Sequence, residues 1–225
     1  PALHERRTDN RWHVETFRTE SAAAKLNIAC ENLPHFPSFD AEKCGFDYPS
    51  YAHVAPDVEY LEQAYTEAKH GWYSQKPFVT VTSPTTVDKT LAPDGKHVVN
   101  LFCGHAPYSL KDGASWEQHR QAFADRVLDA VEEYAPGFRD DIIDMQVLVP
   151  PDIERMIGSP GGHIFHGELA VDQLFFKRPA PHYADYRTPI TGLFLCGSTT
   201  HPGGGVSGVS GHNAAREILK DWRRL

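Results

Sequence analysis

The chain has 225 residues, of which 40% are apolar and 23% charged, as is usual for a globular protein. Acidic residues outnumber basic ones by 30 to 22, so the formal net charge is −8 and a basic surface for binding nucleic acid is excluded. The sequence contains no run of 18 apolar residues that could cross a bilayer, and its first residues lack the apolar core of a secretory signal.

The four cysteines, at positions 30, 44, 103 and 196, include no C-x-x-C pair. Cys103 and Cys196 lie inside apolar runs, which predicts buried free thiols rather than disulfides. Free thiols indicate a reducing compartment, so we expect an intracellular protein, cytoplasmic or within an organelle.

The first hundred residues predict strands and helices in succession, typical of an α/β fold. Alternating residues predict a strand over 24–29, and the proline- and aromatic-rich segment 33–51 indicates an irregular connection. Asp57 can cap a helix that ends near His70, and its expected inward residues are Val58, Leu61, Tyr65 and Ala68. Strands are predicted over 78–83 and 97–103, on either side of the turn at 93–95.

The clearest helix extends from Ser115 to Tyr134. Ser115 and Gln118 have the spacing of a capping box, and the expected inward residues are Phe123, Val127, Ala130 and Tyr134. A strand is predicted over 142–149, and the glycines and prolines of 150–162 indicate a change of chain direction.

A glycine-rich turn occupies residues 197–208. It follows the wholly apolar run 193–196, typical of a strand buried on both faces, and it precedes a helix indicated by Ala214, Ala215, Ile218 and Leu219. Such an arrangement can bind an anion, because glycine lets backbone N–H groups approach a ligand and a helix N-terminus has unpaired donors. The turn is neither G-x-G-x-x-G nor a P-loop, so close packing is the alternative role for its glycines.

Residues 192–219, GLFLCGSTTHPGGGVSGVSGHNAAREIL, resemble the C-terminal flavin motif of phytoene-dehydrogenase-like FAD-dependent oxidoreductases. Residues 161–179 resemble the segment that precedes this motif, and the resemblance extends upstream to about residue 24, nearest to the pyridine nucleotide-disulfide oxidoreductase domain-containing class. It implies FAD as cofactor, an apolar small-molecule substrate, and hydride transfer to the flavin. By the same resemblance, Gly197 and Ser198 would lie near the ribityl chain and pyrophosphate, and the flavin ring would be lined by His201, Gly204, Gly205 and Val206.

That family also has an N-terminal βαβ unit, whose G-x-G-x-x-G turn holds the ADP half of FAD, and this sequence contains no such motif. We therefore expect residues 1–150 to form a substrate-binding part with a mixed, largely antiparallel sheet. Residues 151–225 would complete a Rossmann-like FAD domain, with the N-terminal FAD-binding half supplied elsewhere. The chain alone is then expected to be inactive and to bind free FAD weakly or not at all. A homo-oligomer and association with a membrane surface are further possible arrangements.

His163 and His166 form an H-x-x-H pattern, followed by Glu168. Neighbouring glycines disfavour the helix that would present both imidazoles to a metal ion, so no metal site is predicted. Structural hydrogen bonding is the first interpretation of these residues. The second is that His166 and Glu168 are catalytic and handle the proton that accompanies hydride transfer.

Two further pairs are candidate site residues, and packing is favoured for both: His105 with Tyr108, and Phe175 with Phe176. Serine-hydrolase chemistry is excluded, since Ser207 is not flanked as G-x-S-x-G requires. Three functions stay open: an FAD-dependent dehydrogenase or desaturase, a flavin-dependent isomerase without net redox change, and a non-catalytic interaction module.

Overall fold

A computed structural model describes residues 11–222 of the chain. Contacts divide it into two units: residues 22–156, which we call the sheet unit, and residues 11–21 with 157–222, which we call the turn unit. Within residues 11–222, no helix combines the length and the apolar character needed to cross a membrane.

The sheet unit is built on five strands in the order β2-β3-β4-β1-β5, and each neighbouring pair is antiparallel. The strands are β1 (Ala23–Cys30), β2 (Tyr51–Val54), β3 (Phe78–Thr82), β4 (His97–Gly104) and β5 (Ile142–Leu148). The predicted α/β class with a largely antiparallel sheet is confirmed. Strand β2 begins at Tyr51, the last residue of the predicted irregular connection. It was not predicted because four residues are too few to show a period.

The helices are α1 (Ala41–Cys44), α2 (Val58–Lys69), α3 (Trp116–Glu132), α4 (Pro150–Ile157) and α5 (Val209–Trp222). Short 3₁₀ segments connect them at Pro84–Thr86, Lys89–Leu91, Lys111–Gly113, Phe138–Asp141, Pro160–Gly162, Val171–Gln173 and Phe175–Lys177. The last three lie in the turn unit, where α5 is the longest regular element.

Helix α3 covers one face of the sheet and supplies much of its core. Phe123 and Val127 are fully buried and Ala130 nearly so, as the predicted stripe requires. Every second residue of β1 is buried in the same core, with Leu26 opposite Leu101 of β4. The Ser115 hydroxyl caps the helix by accepting from the Glu117 N–H at 3.1 Å, one residue before the position that a capping box uses.

The inward face predicted for α2 is wrong. Asp57 caps the helix as expected, but Val58 and Tyr65 are 75% and 52% exposed. The helix instead packs through the small Ala64 and through Tyr60, whose hydroxyl donates to the Pro77 carbonyl at 2.9 Å. The apolar spacing at 58, 61, 65 and 68 therefore indicated the wrong face, because the buried face is held by one small residue and one tyrosine hydroxyl.

Candidate functional site

The glycine-rich turn at 197–208 is held in the turn unit by side-chain hydrogen bonds to one backbone carbonyl. That carbonyl belongs to His201, and it accepts from the Tyr186 hydroxyl at 2.9 Å and from the Ser210 hydroxyl at 3.2 Å. Asn213 donates to the same Tyr186 hydroxyl at 2.9 Å. Because Ser210 and Asn213 belong to α5, these contacts fix the turn to the helix that follows it.

The start of the turn, where Gly197 and Ser198 were predicted to contact the cofactor, is closed by Thr200. The Thr200 N–H and hydroxyl both donate to the Gly197 carbonyl, at 3.0 and 2.7 Å. Gly197 is exposed and Ser198 half-buried, so both can be reached from outside.

The apex of the turn has two glycines with opposite surroundings. A Cβ atom on Gly204 would lie 2.2 Å from the Phe165 ring, so this glycine is needed for packing. A Cβ atom on Gly205 would meet no atom within 4 Å, while its φ of +126° suits only glycine. Val206 beside it is fully exposed. Gly205 and Val206 therefore present open backbone just before the N-terminus of α5, and the sequence alone could not distinguish the two glycines.

The expected buried strand over 193–196 is not formed in the described chain. Leu193 and Leu195 are 47% and 40% exposed, Cys196 is also exposed, and the only pairing of this run is a single antiparallel bridge between Phe194 and Arg187. An apolar run becomes a buried strand only when neighbouring strands cover it, and residues 11–222 supply none here.

Arg178 lies fully buried below the turn. Its guanidinium donates to the carbonyls of Phe165 at 2.6 Å and Glu168 at 3.4 Å, and it lies over the Phe17 ring with 5.7 Å to the centroid. Its Nε finds no hydrogen-bond partner within the described residues. The sequence pattern did not reveal this residue, since its only signal is a basic pair after two phenylalanines.

His166 and Glu168, the predicted catalytic pair, have different surroundings. His166 is exposed, and its backbone N–H donates to the His163 carbonyl at 2.9 Å. Glu168 is half-buried, and its carboxylate accepts from Arg18 Nε at 2.8 Å. The Glu168 carboxylate is thus engaged by a side chain of the same unit. The catalytic assignment of both stays a prediction.

The Arg18 guanidinium also binds Asp172 through two hydrogen bonds of 2.9 and 2.7 Å. This hydrogen bonding lowers the pKa of the Asp172 carboxyl, and the pairing with Asp172 and Glu168 raises the pKa of Arg18. Arg18 therefore ties the segment before the sheet unit to residues 168–173 within the turn unit.

His163 is better connected than His166. Its Nδ1 accepts from the Phe165 N–H at 3.1 Å, which places the proton of the neutral ring on Nε2. Burial lowers the pKa of His163, and this outweighs the raising effect of Glu168. Residues 11–222 contain no group of three or more histidine, cysteine or acidic side chains that could hold a metal ion.

The residues at the turn fit a flavin in two respects. The open backbone of Gly205 gives a planar ring a place of approach, and two buried donor or acceptor atoms, Arg178 Nε and His201 Nδ1, have no partner in the described chain. The missing buried strand is the one departure from the expected strand–turn–helix construction.

The chain is similar in sequence to known oxidoreductases. Pyridine nucleotide-disulfide oxidoreductase domain-containing protein 2 of Mus musculus is 44% identical over 94% of this chain and 37% of its own length. A limonene dehydrogenase subunit of Castellaniella defragrans is 31% identical over 63% of this chain and 26% of its own length. The lycopene-forming phytoene desaturase of Pseudescherichia vulneris is 31% identical over 56% of this chain and 25% of its own length.

The chain thus spans about a third or less of the length of these relatives. No protein-family model matches it. The first similarity covers almost the entire chain, so it includes both the sheet unit and the glycine-rich turn. The resemblance predicted from the sequence is therefore confirmed: this chain is a relative of the pyridine nucleotide-disulfide oxidoreductase domain-containing proteins and, more distantly, of the phytoene desaturases.

Proposed function

We propose that the chain is part of an FAD-dependent oxidoreductase, with the turn at 197–208 facing the flavin. The observation that carries this proposal is the apex at Gly205 and Val206, which is open to a ligand although the rest of the turn is tied down. Glycine adopts this positive φ without strain, and because it has no Cβ it leaves the backbone of the apex open to a ligand.

A bound flavin would supply the redox chemistry by accepting a hydride from the substrate. The residues of the chain would bind and orient it. Backbone N–H groups at the apex, together with the N-terminus of α5, offer donors and a partial positive charge where negative charge would accumulate. Gly197 and Ser198 would hold the more distant part of the cofactor, and His201 would line its ring.

An apolar substrate is the second part of the proposal. Two relatives carry limonene and phytoene in their names, and both compounds are hydrocarbons. The sheet unit would provide the substrate side, since one face of its sheet is covered by α3 and the other retains half-buried aromatic rings at Phe78 and Phe102.

We further propose that another polypeptide segment covers the turn unit. Several of its large apolar side chains are strongly exposed in this chain, among them Val171 at 83%, Phe176 at 72% and Trp222 at 74%. We expect that segment to bury these side chains, as apolar residues at an interaction site are buried. A flavin domain completed by a βαβ half would cover it and add sheet neighbours to residues 193–196.

For the proton, we retain His166 as the candidate in preference to Glu168. Its imidazole is exposed and can be reached by a substrate, whereas the Glu168 carboxylate is held by Arg18. Glu168 then serves to position the segment that carries the histidine.

The test is flavin retention by the protein, purified with any polypeptide that accompanies it. Wild-type protein is expected to absorb light at about 450 nm, as flavoproteins do. Gly205→Val should remove that absorbance, because a side chain there blocks the approach to the backbone. Gly192→Val is the matched control: φ is +82° and a Cβ also meets no atom within 4 Å, so it introduces similar strain away from the apex. Equal flavin retention by both variants would refute the proposal.

A further inference from the structure

The turn unit contains two arginines that lie over phenylalanine rings, and only one of them has an acidic partner. Arg187 lies over Phe194 at 5.2 Å and pairs with Asp221 at 2.7 Å. Arg178 lies over Phe17 at 5.7 Å and forms no ion pair with any described carboxylate. Arg187 is partly exposed, whereas Arg178 is completely buried.

A buried cation without an anion is unfavourable, because its desolvation is compensated only in part by neutral acceptors. Burial lowers the pKa of Arg178, yet a guanidinium stays charged at any physiological pH. The carbonyls of Phe165 and Glu168 satisfy the two terminal nitrogens, and Nε is left without a partner. The buried guanidinium therefore carries a positive charge, and no carboxylate of the described chain forms an ion pair with it.

The position of this charge relates it to the turn. A Cβ atom on Gly203 would lie 3.5 Å from Arg178 Nε and 3.7 Å from its Cδ. The guanidinium thus lies beside the turn backbone at Gly203, on the side away from solvent. Gly205, at the open apex, is two residues further along the chain. No solvent reaches it, so its field is weakly screened.

We propose that Arg178 is an electrostatic positioning residue for a cofactor that becomes anionic at the turn. This rests on the proposed function, with flavin as the cofactor. If a substrate C–H bond gave its hydrogen and electron pair to the cofactor, the substrate would be oxidised by two electrons and would release a neighbouring proton as its new double bond forms. The cofactor would gain one negative charge. The Arg178 charge stabilises that added negative charge through the turn, without touching the cofactor.

A second explanation is purely structural: Arg178 would only join the carbonyls of residues 165 and 168. The two explanations differ in what they predict for the bound flavin. A structural brace affects how much flavin is retained, whereas a buried charge affects how well the retained flavin accepts an anion.

Sulfite is a suitable probe, because it adds to oxidised flavin and leaves negative charge on the ring. In the flavin-containing protein, Arg178→Met is expected to weaken sulfite binding about tenfold, the smallest effect usual for a nearby opposite charge. The corresponding fall in the two-electron potential is about 30 mV. Arg178→Lys keeps the charge and should remain within about threefold of wild type. Arg187→Met removes a compensated arginine and should leave sulfite binding unchanged.

Unchanged sulfite binding by Arg178→Met would overturn the proposal, and so would equal weakening by the Lys and Met variants. Loss of flavin from both Arg178 variants would show a brace and would equally overturn it. These results are distinct from failure of the proposed function, in which wild-type protein itself has no flavin or Gly205→Val retains it. In that case the assignment of Arg178 fails together with the function on which it rests.

Discussion

The two units bury different kinds of side chain. The core of the sheet unit is mainly aliphatic and aromatic and extends from Ala24 to Val149. In the turn unit the buried hydrophobic residues are only Ala180, Tyr186 and Ala214 among those described. The buried polar and charged residues of that unit are twice as many among those described: Ser21, Ser159, Gln173, Arg178, Thr200 and Ser210.

This difference indicates how each unit is stabilised. Apolar burial contributes in proportion to area and does not depend on direction, so it provides most of the stability of the sheet unit. Hydrogen bonds contribute about 1 kcal/mol each and require specific partners. They fix the shape of the turn unit but give it less stability, so we expect this unit to open locally before the sheet unit does.

The largest expected effect is in the sheet unit. Phe123→Ala removes a fully buried ring that contacts Tyr73 and Trp116 edge-on, and should lower the free energy of unfolding by about 3–5 kcal/mol. Denaturant titration followed by circular dichroism measures it. Val58→Ala, at a 75% exposed position of α2, is the control and should be neutral within about 0.5 kcal/mol. Equal costs would show that the apolar core is not the main source of stability.

A smaller loss is expected in the turn unit from Gly204→Ala. The new methyl would lie 2.2 Å from the Phe165 ring, and such overpacking costs about 1–3 kcal/mol. Gly197→Ala is a matched control from the same turn, since its Cβ meets nothing closer than 3.9 Å. Hydrogen exchange over residues 160–215 measures the local loss. If both variants exchange alike, the Phe165 contact does not constrain the turn.

The sheet unit, with its apolar core, was also the part of the fold that the sequence predicted best. Strands β1, β3, β4 and β5 and helix α3 could be placed from their apolar residues, and the inward stripe of α3 could be predicted as well. Helix α2 could be placed but not oriented, because its apolar stripe is largely exposed and Tyr60 and Ala64 hold it instead.

The candidate site was less predictable. The glycines of the turn mark it plainly, and the resemblance supplied the family. Arg178 and Tyr186 were missed because their partners are backbone carbonyls, and a carbonyl has no residue type by which a pattern can be recognised. The run 193–196 was assigned to a strand on composition alone, whereas the described residues pair with it only through one bridge.

A still smaller effect is expected from Tyr186→Phe, which tests whether hydrogen bonds hold the turn. The change removes the donor to the His201 carbonyl and the acceptor for Asn213, at a cost of about 1–2 kcal/mol. Faster hydrogen exchange over residues 197–213 is the expected observation. Tyr183→Phe is the control, because within residues 11–222 the Tyr183 hydroxyl has no hydrogen-bond partner. Unchanged exchange in Tyr186→Phe would assign the order of the turn to packing instead.

The smallest effect concerns pH, and each unit has one histidine that reports it. Burial lowers the pKa of His105 in the sheet unit and of His163 in the turn unit below the ordinary 6.5. An unfolded chain then binds protons more readily than the folded one, so stability is lost as the pH falls through 6.5 and stops falling below the folded pKa. One histidine changes stability by at most about 1.4 kcal/mol per pH unit.

Because protonation of His163 also removes the acceptor of the Phe165 N–H, the turn unit should respond more strongly. Hydrogen exchange at about pH 5.5 and about pH 8 resolves the two units. His163→Asn, which retains an acceptor, should remove the acid response of the turn unit alone, and His105→Gln that of the sheet unit alone. A response of the turn unit that survives in His163→Asn would mean that other groups titrate there and that the two units do not differ in this respect.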